Sequence, residues 1–392
     1  MQSGVARWMG EFARRAPPRG LIVSTGMVPG AEDPDRGVPQ AVDRLPLPVR
    51  RLSTVQGLML WSHRAALLAR SKKVPFVWCG QVKPAGYPAL WIHSRQKTPY
   101  GIIVHGTDLL TLQHKVDRSG SQRRAARSLL AGARLFVANS RYTGELLRRV
   151  LTGVGLPDNA RPIHVVPLGT DPDHFRPGID PRAMRKKYGL GTGRWIMTVT
   201  RLVADRGMDA ALSAIAALGV RFPEVRFAVV GSGEKQAEVE ALATRMGLGD
   251  RVKFLGDVPH ADLPALLNGA ELYLHVARDT DRMVEGFGMS VVEASACGIP
   301  VVAGNSGGVV DAIRDGETGM LVDHAGLPAG AAPSATTATA LVGALDTLLA
   351  SRDLRARLGA GGRRAVEQHY NWERVVREML ALQREATSPG PA

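Results

Sequence analysis

RWIMTVTRLVADRGMDAALSAIAALGVRFPEVRFAVVGSGE, residues 194–234, sets the architecture of this chain. Its ends, RWIMTVTR (194–201) and VRFAVVGSG (225–233), are short apolar runs that do not alternate with polar residues. They therefore read as strands covered on both faces. Residues 208–219 between them read as a helix. Strand, helix and strand in that order form a parallel βαβ unit, whose faces are covered by helices.

The same pattern extends in both directions. GLIVSTGM (20–27), VPFVWCG (74–80), YGIIVHG (100–106), ARLFVANS (133–140) and IHVVPLG (163–169) read as a first series of strands. RVKFLGDV (251–258), AELYLHVA (270–277), IPVVAGNS (299–306) and MLVD (320–323) complete the second. Helices are expected at 121–131, 141–152, 235–246, 289–297 and from about 340 to 350. TDPDHFRPGIDPRAMRKKYGL (170–190) carries three Pro and no apolar run, so it reads as a linker. HAGLPAGAAPSATTATA (324–340) reads as a small-residue loop. The fold class is α/β, with two doubly wound domains over 1–169 and 191–369. Such domains bind ligands outside the carboxyl ends of their strands. The chain opens on MQSGVARWMGEFARR, a loop entering a helix, so either the first domain lacks its usual first strand or translation starts upstream of Met1.

At 392 residues the chain is long enough for two domains, and its 45% hydrophobic and 22% charged composition is that of a folded protein. The two cysteines, Cys79 and Cys297, have no metal-type spacing and cannot form a disulfide framework. With no apolar run of membrane-spanning length and no leader-like opening, a cytoplasmic location is expected. The net charge of +14 is concentrated in the first part of the chain. Residues 1–170 hold 25 Lys/Arg against 9 Asp/Glu, whereas residues 171–392 hold 25 against 27. A first domain this basic suits an anionic acceptor or an anionic membrane surface, on the inner face of the membrane. No zinc-finger, RNP-type or basic-zipper pattern supports nucleic acid as a partner.

The chemistry is concentrated in VEGFGMSVVEASACGIPVVAGNSGG (284–308). Glu285 precedes a Gly-Phe-Gly turn that opens a helix, whose first amides suit a phosphate. Glu293, eight positions on, can accept two hydrogen bonds from a ribose diol. In TRLVADRG (200–207), Arg201 ends a strand and Arg206 stands at the start of the next helix. Two guanidiniums there can bracket a diphosphate. Gly231 and Gly233 in VVGSGE form a weaker phosphate-loop signal. In IIVHGTDLL (102–110), His105 ends a buried strand, and Ser140 in ANSRYT reads as a helix cap. Three Asp-x-Asp triplets (33–35, 171–173 and 279–281) lie in polar loops, outside a strand-end metal context. No metal is expected.

These motifs resemble the retaining glycosyltransferases of family 4, which have the GT-B fold, and among them members of the phosphatidylinositol mannosyltransferase type. The resemblance is carried by SGVARWM, VHGTD, VANSRYT, VVPLGTDPDHF, VTRLVADRG, VVGSGE, FLGDVP, EGFGMSVVE and GNSGGVVDAIRDGETGMLVD. It implies a nucleotide-diphosphate sugar as donor substrate, held mainly by the second domain and used without a metal cofactor. It also implies a lipid-linked, glycan or small-molecule acceptor at the first domain, and a closing helix (370–386) that returns to that domain. Transferred residue by residue, Arg201 and Arg206 contact the donor diphosphate. Glu285 takes sugar hydroxyls, with the backbone of Gly286, Phe287, Gly288 and Met289 beside it, and Glu293 takes the ribose. His105 contacts the transferring sugar, and Gly4 belongs to the loop closing over the phosphates. Two departures stand out: Arg206 replaces the family's Lys, and Ser3-Gly4 replaces its Gly-Gly pair. A sugar-nucleotide 2-epimerase and a non-catalytic nucleotide-sugar-binding protein are the competing classes.

Overall fold

The computed structural model describes residues 4–27, 37–48, 51–157, 159, 161–323 and 335–388. The chain divides into two compact units: Gln2–Pro167 with Trp372–Ala392, and Leu168–Asn371.

The first unit's earliest described element is the helix Gly4–Arg15. Strands β1 (Ile22–Met27) and β2 (Ala41–Pro48) form a parallel pair of their own. Strands β3 (Val77–Cys79), β4 (Tyr100–Val104), β5 (Leu135–Ala138) and β6 (Ile163–Val165) form a parallel sheet in that order. Their inward residues Ile102, Val104, Phe136 and Ala138 pack with Leu109, Leu130, Leu147 and Val150 of the covering helices. The sequence reading contains no strand at 41–48. AVDRLPLP lacks an apolar run and contains Pro46 and Pro48, which cannot donate to a ladder; a strand paired on one side only tolerates them. The helix Trp372–Thr387 belongs to this unit. Glu373 accepts from Arg15 Nε at 2.9 Å, and Gln383 accepts from Trp78 Nε1 at 3.0 Å.

The second unit is built on a six-stranded parallel sheet. Its strands are β7 (Arg194–Val199), β8 (Val225–Val230), β9 (Val252–Gly256), β10 (Leu272–His275), β11 (Val301–Gly304) and β12 (Met320–Val322). The spatial order is β12-β11-β10-β7-β8-β9. Ile196, Phe227, Val229, Leu274 and Val302 form the core with Leu212, Ile215 and Leu345. The stretch 170–190 lies inside this unit. Phe175 is fully buried, Thr170 N donates to Tyr370 O at 2.8 Å, and Arg182–Lys187 is a short helix. The final helices of the unit run from Ala335 to Ala350 and from Arg352 to Gln368. The loop segment 324–334 and the triplet 33–35 lie outside the described residues.

Candidate active site at the reversal of strand order

In the second sheet the chain leaves β7 toward β8 and β9, then returns to the other side of β7 with β10, β11 and β12. Neighbouring strands whose connections run in opposite directions leave a crevice at their carboxyl ends. Here that place lies between β7 and β10. Tyr273 fixes the spacing: its buried hydroxyl accepts from Val199 N and donates to Val199 O, both at 3.1 Å.

The loop after β7 is knitted to the loop after β8. Thr200 N donates to Val230 O, Leu202 N to Ser232 O, and Lys235 N to Leu202 O, at 2.9 Å each. Gly231 N donates to Gly256 O at 2.7 Å. At Gly233 a Cβ would stand 2.2 Å from Leu202 O, so the glycine permits this close approach of backbones. Arg201 follows β7 by two residues and is exposed. Arg206 ends a short 3-10 turn (Ala204–Arg206) rather than starting the helix, which begins at Met208.

Arg206 is only 8% exposed and does not project freely. Its Nη1 donates to Glu285 Oε2, and its Nε lies 3.7 Å from Asp205 Oδ1. One guanidinium therefore sits between two carboxylates. Glu285 Oε2 also lies 3.6 Å from His275 Nε2, at the end of β10. Burial alone would push the Glu285 carboxyl up, but Arg206, the His275 ring and the Gly288 amide hold it below the ordinary range. Burial opposes the charge of Arg206 as well, and the two carboxylates outweigh it and raise that pKa. Asp205 goes the other way: burial raises its pKa, and Arg206 offsets this only in part. Among the described residues neither Asp205 carboxylate oxygen has a hydrogen-bond partner. Arg278 N closes the loop by donating to Asp205 O at 2.7 Å, and its guanidinium holds Asp209 at 2.8 Å.

Glu285 leads into Gly286, Phe287 and Gly288. Gly288 has φ +92°, which favours glycine, and caps the helix Met289–Ala296. Phe287 is buried beside Tyr370. Gly308 N donates to Glu285 O at 2.8 Å, joining the loop after β11 to the same site. Asp279 has a structural use in that loop, accepting from Ser306 Oγ at 2.9 Å and Gly307 N at 3.2 Å. Asp171 accepts from the amides of Asp173 and His174. Both Asp-x-Asp triplets that are described thus use their first carboxylate to shape a loop. Glu293 is buried in the Met289–Ala296 helix, with Oε1 4.0 Å from His260 Nε2.

The structure therefore brings Arg206 and Glu285 together, and places Arg201, Gly231, Gly233, Gly286–Met289 and Glu293 on the same end of one sheet or on the helix beside it. His105 and Gly4 belong to the other unit. His105 follows β4; its Nε2 donates to Gly80 O at 2.9 Å, and its backbone N donates to Asp108 Oδ1 at 3.0 Å. Gly4 begins the first helix. Sequence reasoning missed Asp205 and His275. The argument that singled out His105, a histidine at the end of a buried strand, applies equally to LYLH at 272–275. A loop that exposes Arg201, a helix amino terminus and a partly exposed carboxylate on one end of the sheet can hold a phosphorylated, hydroxyl-bearing ligand.

Comparison with known proteins bears on both units. Residues 2–174 match the model for Glycosyltransferase Family 4, and residues 180–365 match that for Glycosyl transferases group 1. A GDP-mannose-dependent alpha-(1-6)-phosphatidylinositol monomannoside mannosyltransferase of Mycolicibacterium smegmatis is 35% identical over 227 residues. That match covers 56% of this chain and 56% of the relative, little more than half its length. A GDP-mannose-dependent monoacylated alpha-(1-6)-phosphatidylinositol monomannoside mannosyltransferase of Corynebacterium glutamicum is 27% identical, over 94% of this chain and 91% of the relative. The crystal structure of Anabaena Alr3699/HepE in complex with UDP and glucose superposes with a TM-score of 0.75 at 21% identity, over 97% of this chain and 96% of that one. At that identity the likeness establishes the fold.

Proposed function

We propose that this chain, whose two halves match the models for Glycosyltransferase Family 4 and Glycosyl transferases group 1, is a family 4-type glycosyltransferase that moves a hexose from a nucleoside-diphosphate sugar to a lipid-linked or glycan acceptor, with retention of anomeric configuration. The observation that carries this reading is the Arg206–Glu285 pair at the β7/β10 reversal, beside the amino terminus of Met289–Ala296. GDP-mannose is the donor we assign, supported by the GDP-mannose dependence named for the Mycolicibacterium and Corynebacterium relatives. Their lipid substrates and the basic first unit support a lipid-linked acceptor met at the inner membrane surface.

In this reading Glu285 accepts from sugar hydroxyls and Glu293 from the ribose, while the backbone of Gly286–Met289 lies along the donor. Arg201, Arg206 and the first amides of Met289–Ala296 meet the charge that develops on the departing diphosphate. That charge stabilisation does not require a metal. The bond from the anomeric carbon to the phosphate oxygen breaks, and the acceptor oxygen bonds to that carbon on the same face. The acceptor's proton passes to the departing phosphate oxygen.

A thermal-shift panel tests the reading. GDP-mannose, UDP-glucose and the bare nucleoside diphosphates are offered to the full chain and to Glu285→Ala. At a hundredfold excess over its dissociation constant a ligand stabilises by about 2.7 kcal/mol, a shift of several degrees. GDP-mannose should stabilise the parent protein more than GDP does, and the variant should lose that difference. If no nucleotide sugar stabilises the parent protein, the reading fails.

A further inference from the structure

Arg206 and Glu285 hold each other, yet a nucleotide-sugar donor calls on both. Its diphosphate takes Arg206 and its sugar hydroxyls take Glu285, whereas in the structure Arg206 Nη1 donates to Glu285 Oε2. A carboxylate that turns to a hydroxyl leaves the guanidinium with one contact fewer. Arg206 is buried, and a buried charge that loses its partner is costly. The site therefore calls for a second acceptor within reach of Arg206.

Asp205 has the properties of that acceptor. It is 1% exposed, and among the described residues neither of its carboxylate oxygens has a hydrogen-bond partner. Buried polar groups are nearly always bonded, so a carboxylate open on both oxygens is not there to fix the loop. Backbone bonds fix it instead. Arg206 N donates to Val203 O at 3.2 Å and Arg278 N donates to Asp205 O at 2.7 Å, which any side chain at 205 would allow. The Arg278 guanidinium is engaged with Asp209. Asp205 Oδ1 stands 3.7 Å from Arg206 Nε, and that Nε is itself buried with no acceptor. A hydrogen bond forms at about 3.2 Å or less, so the two open groups are about half an ångström short of joining. The last torsion of an Asp side chain is broad, which lets the carboxylate turn that far within its rotamer.

We propose that Asp205 is a positioning residue held in reserve: when Glu285 turns from Arg206 to a ligand hydroxyl, Asp205 closes onto Arg206 Nε and keeps the guanidinium in place for the diphosphate. The ligand is the donor proposed above, and the inference rests on that reading. The contact between Asp205 and Arg206 is tested without it.

Two measurements form the test. In the first, Asp205→Asn is introduced into the parent protein and into Glu285→Ala, and urea unfolding near neutral pH gives the folding equilibrium constant of all four proteins. In the parent protein Glu285 already holds Arg206, and burial and the Glu285 charge oppose that of Asp205. There Asp205→Asn should change the constant less than about threefold. In Glu285→Ala the same substitution removes the remaining acceptor and should lower the constant at least about tenfold. If Glu285→Ala does not fold, Glu285→Gln takes its place.

In the second, GDP and GDP-mannose are titrated calorimetrically into the full-length parent protein and Asp205→Asn. GDP affinity should stay within about threefold, because Glu285 still holds Arg206. The ratio of GDP-mannose to GDP affinity should fall about tenfold, because Glu285 is no longer released to the sugar. A merely structural role would weaken both ligands alike. An equal effect of Asp205→Asn in the two backgrounds, failure of Asp205→Asn alone to fold, or an unchanged affinity ratio overturns the proposal. If neither nucleotide binds the parent protein, the donor reading fails, and the four-protein comparison still decides whether Asp205 takes over Arg206.

Discussion

Removing the Arg206 side chain should expose how the second unit tolerates two carboxylates in one buried site. In Arg206→Ala, Glu285 and Asp205 lose the guanidinium lying between them. Breaking a buried pair by deleting one partner costs about 3–5 kcal/mol, because the remaining charge is left uncompensated. For a unit of this size that is a fall in melting temperature of roughly 10 °C near neutral pH. The pH dependence gives the sharper check. In the parent protein the Glu285 pKa is depressed, so its contribution is complete above the ordinary carboxylate value and is lost as pH falls through the folded value. Without Arg206, burial dominates and the carboxyl is raised. Its penalty is then full near neutrality and shrinks as protons bind on acidification. The stability gap between parent and variant should therefore narrow from about pH 7 to about pH 5. Glu285→Gln added to Arg206→Ala should recover part of the loss at the higher pH, a non-additivity expected of groups in contact. Urea unfolding of the three proteins at both pH values measures this. A gap under about 1 kcal/mol, or one equal at the two pH values, refutes the bracketed-guanidinium account.

Two further outcomes follow from the same unit. Tyr273→Phe deletes the hydroxyl that both accepts from Val199 N and donates to Val199 O, and should cost about 1–3 kcal/mol in urea unfolding; an unchanged midpoint would show that the bridge is not formed. Cys79 and Cys297 are buried free thiols, with burial raising both pKa values and that of Cys297 to about 12. An aromatic disulfide reagent in mildly alkaline buffer should label neither until denaturant unfolds the chain, and labelling within the mixing time would contradict their burial.

The βα alternation is legible along the chain because a covered parallel strand and an amphipathic helix are each defined by near neighbours in sequence. RWIMTVTR and VRFAVVGSG contain β7 and β8 with only their ends trimmed, and residues 208–219 contain a helix that stops one residue sooner. The turn at Gly286–Gly288 is legible for the same reason, since its glycines and the helix after it are local. β2 is the exception among the strands. Its two prolines hide it from any local reading, and only its partner β1 makes it a strand.

Strand order is another matter, because it depends on which distant strands pair, and no local spacing encodes that. The sequence by itself determined that Arg206 and Glu285 each follow a strand. Tertiary structure decided that β7 and β10 are neighbours, which brings those side chains together across 79 positions and sets Asp205 and His275 beside them. It also decided that Arg206 is bracketed by carboxylates rather than projecting, since burial and partners are properties of the packed loop. The same holds for Val55–Ser71. That helix is not among those read from the sequence, and which of its faces meets the core depends on what packs there. Small residues and Trp61 pack inward, and Val55, Met59, Leu60 and Leu67 were left outside.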